Sequence, residues 1–323
     1  MAHNRIQYID IAKGIGIILV VWFHFPILSQ LSSFECWGGY ITSFYMVLFF
    51  VLSGVFFKLS SLLRRIRRLM LPYISFYLVA CVYYTFMSLY KQKSIELSHY
   101  LLPFLGATSG YENTPIWFLL SLSQVVCMCF VLCKMRNRYA VILGALCVSM
   151  AGYYLGRYNV PYYVDVSMLC LFPFVLGYEF RDVILDIRPI VGLPAGLLSL
   201  ACYAMFPGFT NVSQNFEPMG YIPFLGISIG ASLFVVYVSK AFCHTIVSTG
   251  LSFFGRNSLI ILCTHMMLMS LPAVIARHLN NVWCANLLSL ILVMCIECLV
   301  VFLIKKYVTL IPQHYNLTLF ISS

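Results

Sequence analysis

Apolar runs of bilayer length recur along the whole chain, at about 10–30, 39–57, 69–90, 115–133, 139–156, 164–180, 189–207, 219–239, 257–275 and 286–304. A helix of ~20 apolar residues crosses the ~30 Å hydrocarbon core, and it satisfies its backbone polar groups within the segment. Ten such runs use most of the 323 residues and leave only short connections. The sequence therefore predicts an all-α fold: a polytopic membrane helix bundle of about ten transmembrane helices, one domain over 1–323. Charged residues make up 9% of the chain and hydrophobic ones 62%, a balance that excludes an ordinary soluble globule of this size.

Charge gives the orientation. With the N-terminus inside, sixteen Lys and Arg fall on inner segments, and only Lys91, Lys93, Arg157 and Arg277 fall on outer loops. This bias predicts both termini cytoplasmic and a multi-pass protein of the cell's inner (plasma) membrane. The net charge of +10 is then topology in contact with membrane lipids, and it gives no reason to expect a nucleic-acid partner. Asp10 and Lys13 interrupt the first run, which is too long for a signal peptide and has no small-residue cleavage site after it. Most of the thirteen cysteines lie inside spans and read as small packing residues, Cys295-x-x-Cys298 included. Glycine pairs at 152/156, 192/196 and 226/230 predict close helix crossings. Gly250 and Gly255 break the segment after the eighth run, which reads as an amphipathic or re-entrant piece at the inner interface.

Ionisable groups inside a membrane are costly and default to function. Lys13 and His24 stand eleven residues apart in the first span. Eleven helical steps return to within ~20° of the starting direction with a rise of ~16 Å, and Asp10 falls about 60° from Lys13. One stripe thus carries a cation near the inner surface and an imidazole deep in the bilayer. A buried neutral imidazole can accept a proton, as a general base must. Arg64, Arg65, Arg67 and Arg68 exceed what topology needs, and Arg65 and Arg68 share a helix face one turn apart. Guanidinium groups bind phosphate bidentately, so the pair is a candidate site for a phosphorylated cytosolic ligand. The outer loop from about 91 to 114 offers a grip for an external substrate, with Glu112, Asn113 and Trp117 at its end. His265 lies in the ninth span, and Glu297, buried in the tenth, requires a partner or a proton.

In order along the chain, Asp10-x-x-Lys13-Gly14, the ten-residue spacing from Lys13 to His24, and Ser53–Gly54 resemble the acyltransferase-3 family of integral-membrane enzymes. So do Arg65-x-x-Arg68 ahead of Pro72–Tyr73, Trp117–Phe118–Leu119, and Asn257–Ser258–Leu259 followed by His265. The fucose 4-O-acetylase-like branch is the nearest in character. Two departures stand out: Lys13 where most members have Arg, and Tyr45 and Val47 where that branch often has His and Pro.

The resemblance implies acyl transfer, usually acetyl, from cytosolic acetyl-CoA as donor substrate to a carbohydrate hydroxyl, with no metal. The acceptor would be surface polysaccharide or a lipid-linked precursor. His24 and Lys13 are then the catalytic candidates, and Arg65 and Arg68 the groups for the CoA thioester. Tyr45, Asn113 and Trp117 would meet the acceptor or the tetrahedral charge, with Asp10, His265 and Glu297 in supporting places. Two rivals share much of this pattern: a non-enzymatic carrier or flippase for a lipid-linked glycan, and a structural subunit whose buried charges set helix register.

Overall fold

Helices account for every one of the apolar runs. The computed structural model describes residues 6–25, 34–92, 94–95, 97–107, 113–158, 160–243, 245–279 and 281–310. In chain order the helices are α1 (Gln7–Phe23), α2 (Phe34–Val55), α3 (Leu62–Tyr90), α4 (Leu97–Leu101) and α5 (Trp117–Leu132). Then come α6 (Arg138–Leu155), α7 (Val164–Glu179), α8 (Arg181–Leu185), α9 (Pro189–Met205) and α10 (Tyr221–Ala241). The last four are α11 (Val247–Arg256), α12 (Ser258–Thr264), α13 (Ser270–His278) and α14 (Val282–Leu310). Among the described residues there is no β-strand, only one isolated bridge between Asn211 and Phe216.

Among the described residues, seven segments are long and apolar enough to cross a membrane, and α11 with α12 makes an eighth if the pair counts as one span. The helices α1 and α9, at 17 residues each, complete the ten expected runs but are shorter than anticipated. The ninth run is the clearest correction. Instead of one straight helix, 257–275 divides into α12, a 3-10 turn at His265–Leu268 and the start of α13, and the chain enters it through a 67° bend between α11 and α12. Asn257 sits at the bend, and its Nδ2 donates to the Phe253 carbonyl at 2.7 Å, competing with the helix for its own acceptor.

The lipid face and the interior separate by helix. On α3, Leu71, Ile74, Leu78, Val82, Phe86 and Leu89 recur every three or four residues and are all exposed, the stripe a membrane helix turns toward acyl chains. By contrast, 72% of the apolar stretch of α2 is buried, against 22% for α6. The interior is built around α2, which packs on α1, α7 and α10.

Glycines set the closest crossings. A Cβ at Gly54 would stand 2.0 Å from the Phe174 carbonyl oxygen on α7, and one at Gly177 would stand 2.1 Å from that of Val51 on α2. The two helices therefore touch backbone to backbone at reciprocal positions. The expected pair Gly192 and Gly196 is filled by the rings of Tyr237 and Phe234, which seats α9 on α10. Gly250 and Gly255 do not break the chain, contrary to the sequence expectation: both lie inside α11. A Cβ at Gly255 would fall 1.7 Å from the Asp10 carbonyl oxygen, and one at Gly14 would fall 2.1 Å from that of Leu251. Here α11 is pressed along the inner half of α1, with Gln7 Nε2 also reaching the Ser248 hydroxyl at 3.3 Å.

Candidate active site

Two histidines from opposite ends of the sequence meet at the C-terminal end of α1. The helix starts at Gln7 and stops at Phe23, so His24 caps its C-terminus and does not sit midway along a longer span. His265 caps the C-terminus of α12 in the same way. The last carbonyls of a helix lack intrahelical partners. Each histidine also turns its ring onto the carbonyl four residues earlier: His24 Nδ1 lies 2.6 Å from the Val20 carbonyl oxygen, and His265 Nδ1 lies 2.9 Å from that of Ile261, which accepts from the His265 backbone N–H as well. A carbonyl only accepts, so the proton of each neutral ring is on Nδ1 and the lone pair is on Nε2. The ring centroids are 4.9 Å apart at 68°, edge to face. His265 is fully buried, and its Nε2 has no hydrogen-bond partner among the described residues.

The surroundings are polar and under-satisfied. Asn113 is buried at the entry to α5, where its Nδ2 donates to the Cys263 carbonyl at 2.8 Å while its Oδ1 is unpartnered among the described residues. Glu297 on α14 is fully buried, and the partner the sequence left open is Thr264, whose hydroxyl donates to Glu297 Oε2 at 2.8 Å. Glu297 Oε1 is unpartnered among the described residues. His265 Nε2, Asn113 Oδ1 and Glu297 Oε1 thus all await a hydrogen-bonding group, in the region where α12 packs against α1, α3 and α14.

Aromatic rings wall one side. Trp22 stacks on Trp37 with centroids 5.5 Å apart, and Trp37 stacks on Trp283 at 6.4 Å. Phe23 meets Trp37 edge to face and lies 5.9 Å from the Tyr45 ring. This column joins the C-terminal end of α1 to the N-terminal ends of α2 and α14. Its signal in the sequence is a lone tryptophan near one end of each of three runs. Trp117 is not at the surface: it is buried against Phe118 and Tyr163 at 6.1 and 5.8 Å. Glu112, named beside it in the sequence, lies outside the described residues.

The basic groups gather at the other end of α1. Lys13 Nζ lies 5.7 Å from the centroid of Phe56, just past the C-terminus of α2. Arg65 donates through Nη1 to the Phe56 carbonyl at 3.0 Å and through Nη2 to the Ser53 carbonyl at 2.8 Å, and its guanidinium stands 5.9 Å from the Phe57 ring. It therefore covers the negative end of the α2 dipole, a structural duty that the sequence does not reveal. Arg65 and Arg68 are half-buried while Arg64 and Arg67 are exposed, the division their spacing predicts. Arg68 Nε is buried and has no hydrogen-bond partner among the described residues. Asp10 is buried opposite Gly255.

The two histidines thus lie at the C-terminal end of α1, and Lys13 lies toward its N-terminal half beside the Arg65-capped end of α2. Comparison with known proteins decides the class. A family model described as an acyltransferase domain, the acyltransferase-3 family, matches residues 6–304. The chain belongs to that family. No curated protein and no solved structure matches it. The matched stretch of this membrane acyltransferase contains both histidines, Lys13, Arg65, Arg68, Asn113 and Glu297.

Proposed function

We propose that this acyltransferase moves an acetyl group from cytosolic acetyl-CoA to a hydroxyl of a carbohydrate, on surface polysaccharide or a lipid-linked precursor, at the cell's inner membrane. The reading rests on one observation above the others: the His24 and His265 rings meet edge to face with centroids 4.9 Å apart, each ring fixed through Nδ1 by its own helix.

In this reading Lys13, Arg65 and Arg68 receive the phosphates of the donor. Arg65 has committed two of its five N–H groups to carbonyls, so Arg68 and Lys13 carry more of the binding. From Lys13 to His24 the helix rises ~16 Å, the length of an extended arm of about five residues. A pantetheine arm laid along α1 brings its thioester toward the histidines.

The acceptor hydroxyl enters from the outer side. His24 Nε2 takes its proton as the oxygen attacks the thioester carbonyl, the C–S bond breaks, and the thiolate leaves and recovers that proton. Ester and free thiol are the products, so atoms and charge balance. Two helix C-termini point their partial negative charge at this spot, which favours the imidazolium formed in transit. His265 Nε2 is a second acceptor that can share the proton. The Tyr45 hydroxyl and the second Nδ2 proton of Asn113 are donors available to the tetrahedral oxyanion.

The test is transfer of labelled acetyl from acetyl-CoA to glycan in proteoliposomes, together with ester analysis of surface glycans from cells with and without the protein. His24→Ala is expected to abolish transfer while the protein still folds. Undiminished glycan acetylation in that variant removes the mechanism, and donor-independent glycan movement would point to a carrier.

A further inference from the structure

A cavity of about 470 Å³ opens between the α6–α7 connection and the loop joining α9 to α10, and its wall is distinct from the histidine cluster. By helix alternation from a cytoplasmic N-terminus, both connections lie on the outer side. The volume is within the roughly 300–1,000 Å³ typical of small-molecule sites. We propose that it is a binding site for a neutral polyhydroxylated ligand of saccharide type, held by Asp165, Asn215 and Glu217.

The wall is built and not incidental. Backbone hydrogen bonds between Asn211 and Phe216, at 2.9 and 3.1 Å, close a tight loop, and Asn215 adopts a left-handed conformation at φ 50° within it. Asn215 Nδ2 donates to the Gly152 carbonyl at 2.8 Å and to Asp165 Oδ2 at 3.1 Å, which ties the loop to α6 and α7. A Cβ at Gly156 would fall 2.5 Å from the Asn215 amide. The 152/156 glycine pair therefore does more than seat two helices, because it leaves room for this side chain.

Three acceptors are left over. Asn215 Oδ1 and both oxygens of Glu217 lack a well-formed hydrogen bond among the described residues, with the Thr210 hydroxyl near the Glu217 carboxyl, although Glu217 is only 5% exposed and Asn215 only 7%. Buried acceptors without donors are costly, so the cavity calls for a ligand that brings donors. Burial pushes the Glu217 carboxyl well above the usual carboxylate range, and the nearby Thr210 hydroxyl, itself bonded to Ser43, offsets this only in part. The raised Glu217 carboxyl lessens the negative charge of a lining that also holds Asp165 and Arg157. Tyr153 and Phe216 add ring surface for the C–H faces of a sugar. Among the described residues, no three His, Cys, Asp or Glu gather as metal ligands.

The inference borrows only its outer orientation from the proposed function and requires no donor. The assay is saturation-transfer NMR with titration on the full chain in nanodiscs without CoA. The probes are methyl glycosides of glucose, galactose, mannose and fucose, maltose, and tetramethylammonium. At least one saccharide is expected to bind. Glu217→Leu should weaken it about tenfold, Glu217→Gln by no more than about threefold, and Gln214→Trp, at the exposed rim, about tenfold. If no saccharide binds, if both Glu217→Leu and Gln214→Trp leave affinity unchanged, or if only tetramethylammonium binds, the assignment falls. His24→Ala should retain this binding, so loss of transfer and loss of binding are read separately.

Discussion

Gly250 and Gly255 lie on one helix and offer a matched pair of identical substitutions. Replacing a helical glycine with alanine gains up to ~1 kcal/mol of helix propensity. At Gly250 a Cβ meets nothing within 4 Å, so Gly250→Ala should keep that gain. At Gly255 the same Cβ stands 1.7 Å from the Asp10 oxygen, 2.7 Å from its carbonyl carbon and 2.8 Å from the Gly14 nitrogen. Restoring a 3.0 Å separation demands a shift of at least 1.3 Å, from 3.0 less 1.7. All three atoms are backbone, so no rotamer can relieve the clash and α11 must move as a body against α1. Overpacking of this kind costs about 1–3 kcal/mol, and the upper end applies here. Net of propensity, Gly255→Ala should lose ~2 kcal/mol while Gly250→Ala gains up to ~1. The shift also carries α12 and His265 away from His24, and a misplacement of ~1 Å can cost about 10²-fold in rate. Thermal unfolding in detergent and acyl transfer in proteoliposomes measure the two effects. If Gly255→Ala matches Gly250→Ala in both, the close crossing of α1 and α11 is not what positions the site.

Three further outcomes follow from the geometry. His24→Ala and His265→Ala should each reduce transfer by about 10²–10⁴-fold, and the double variant should lose far less than the product of the two, since the pair acts as a unit; fully additive losses refute a shared proton. Arg65→Ala should lower both donor affinity and the unfolding temperature, because it uncovers the Ser53 and Phe56 carbonyls, whereas Arg68→Ala should weaken donor binding with a smaller stability change; equal stability losses would deny the cap. The raised carboxyl of Glu217 means the folded protein holds a proton there that the unfolded chain gives up near the ordinary value of 4.5. Stability should therefore fall as pH rises above about that value, by at most ~1.4 kcal/mol per unit, and Glu217→Gln should flatten the profile in melts from pH 5 to 8.

Much of this was legible in the sequence, for reasons particular to each element. Hydropathy gives the helices because the bilayer admits few alternatives. The inward turn of Arg65 and Arg68 follows from helical spacing, which is local, whereas the stripe expected for Lys13 and His24 meets a helix that ends at Phe23, with Lys13 beside Phe56 and His24 beside His265. What stayed hidden depends on contacts between distant segments. No pattern around Glu297 points to Thr264, and nothing near His24 points to His265. The Asp10–Gly255 approach was invisible for the same reason, so a glycine that enables contact read as one that interrupts a helix. Helix ends were also hard to place in uniformly apolar stretches, which is why His24 looked central to its span when it closes α1.

The interlocked glycines Gly54 and Gly177 have a mechanical consequence. With no side chain between them to act as a bearing, α2 and α7 cannot slide or part without breaking main-chain contact, so they form the fixed keel of the protein. Any breathing that opens the bundle to the ligands proposed above must come from the lipid-facing helices, α3 and α14 foremost.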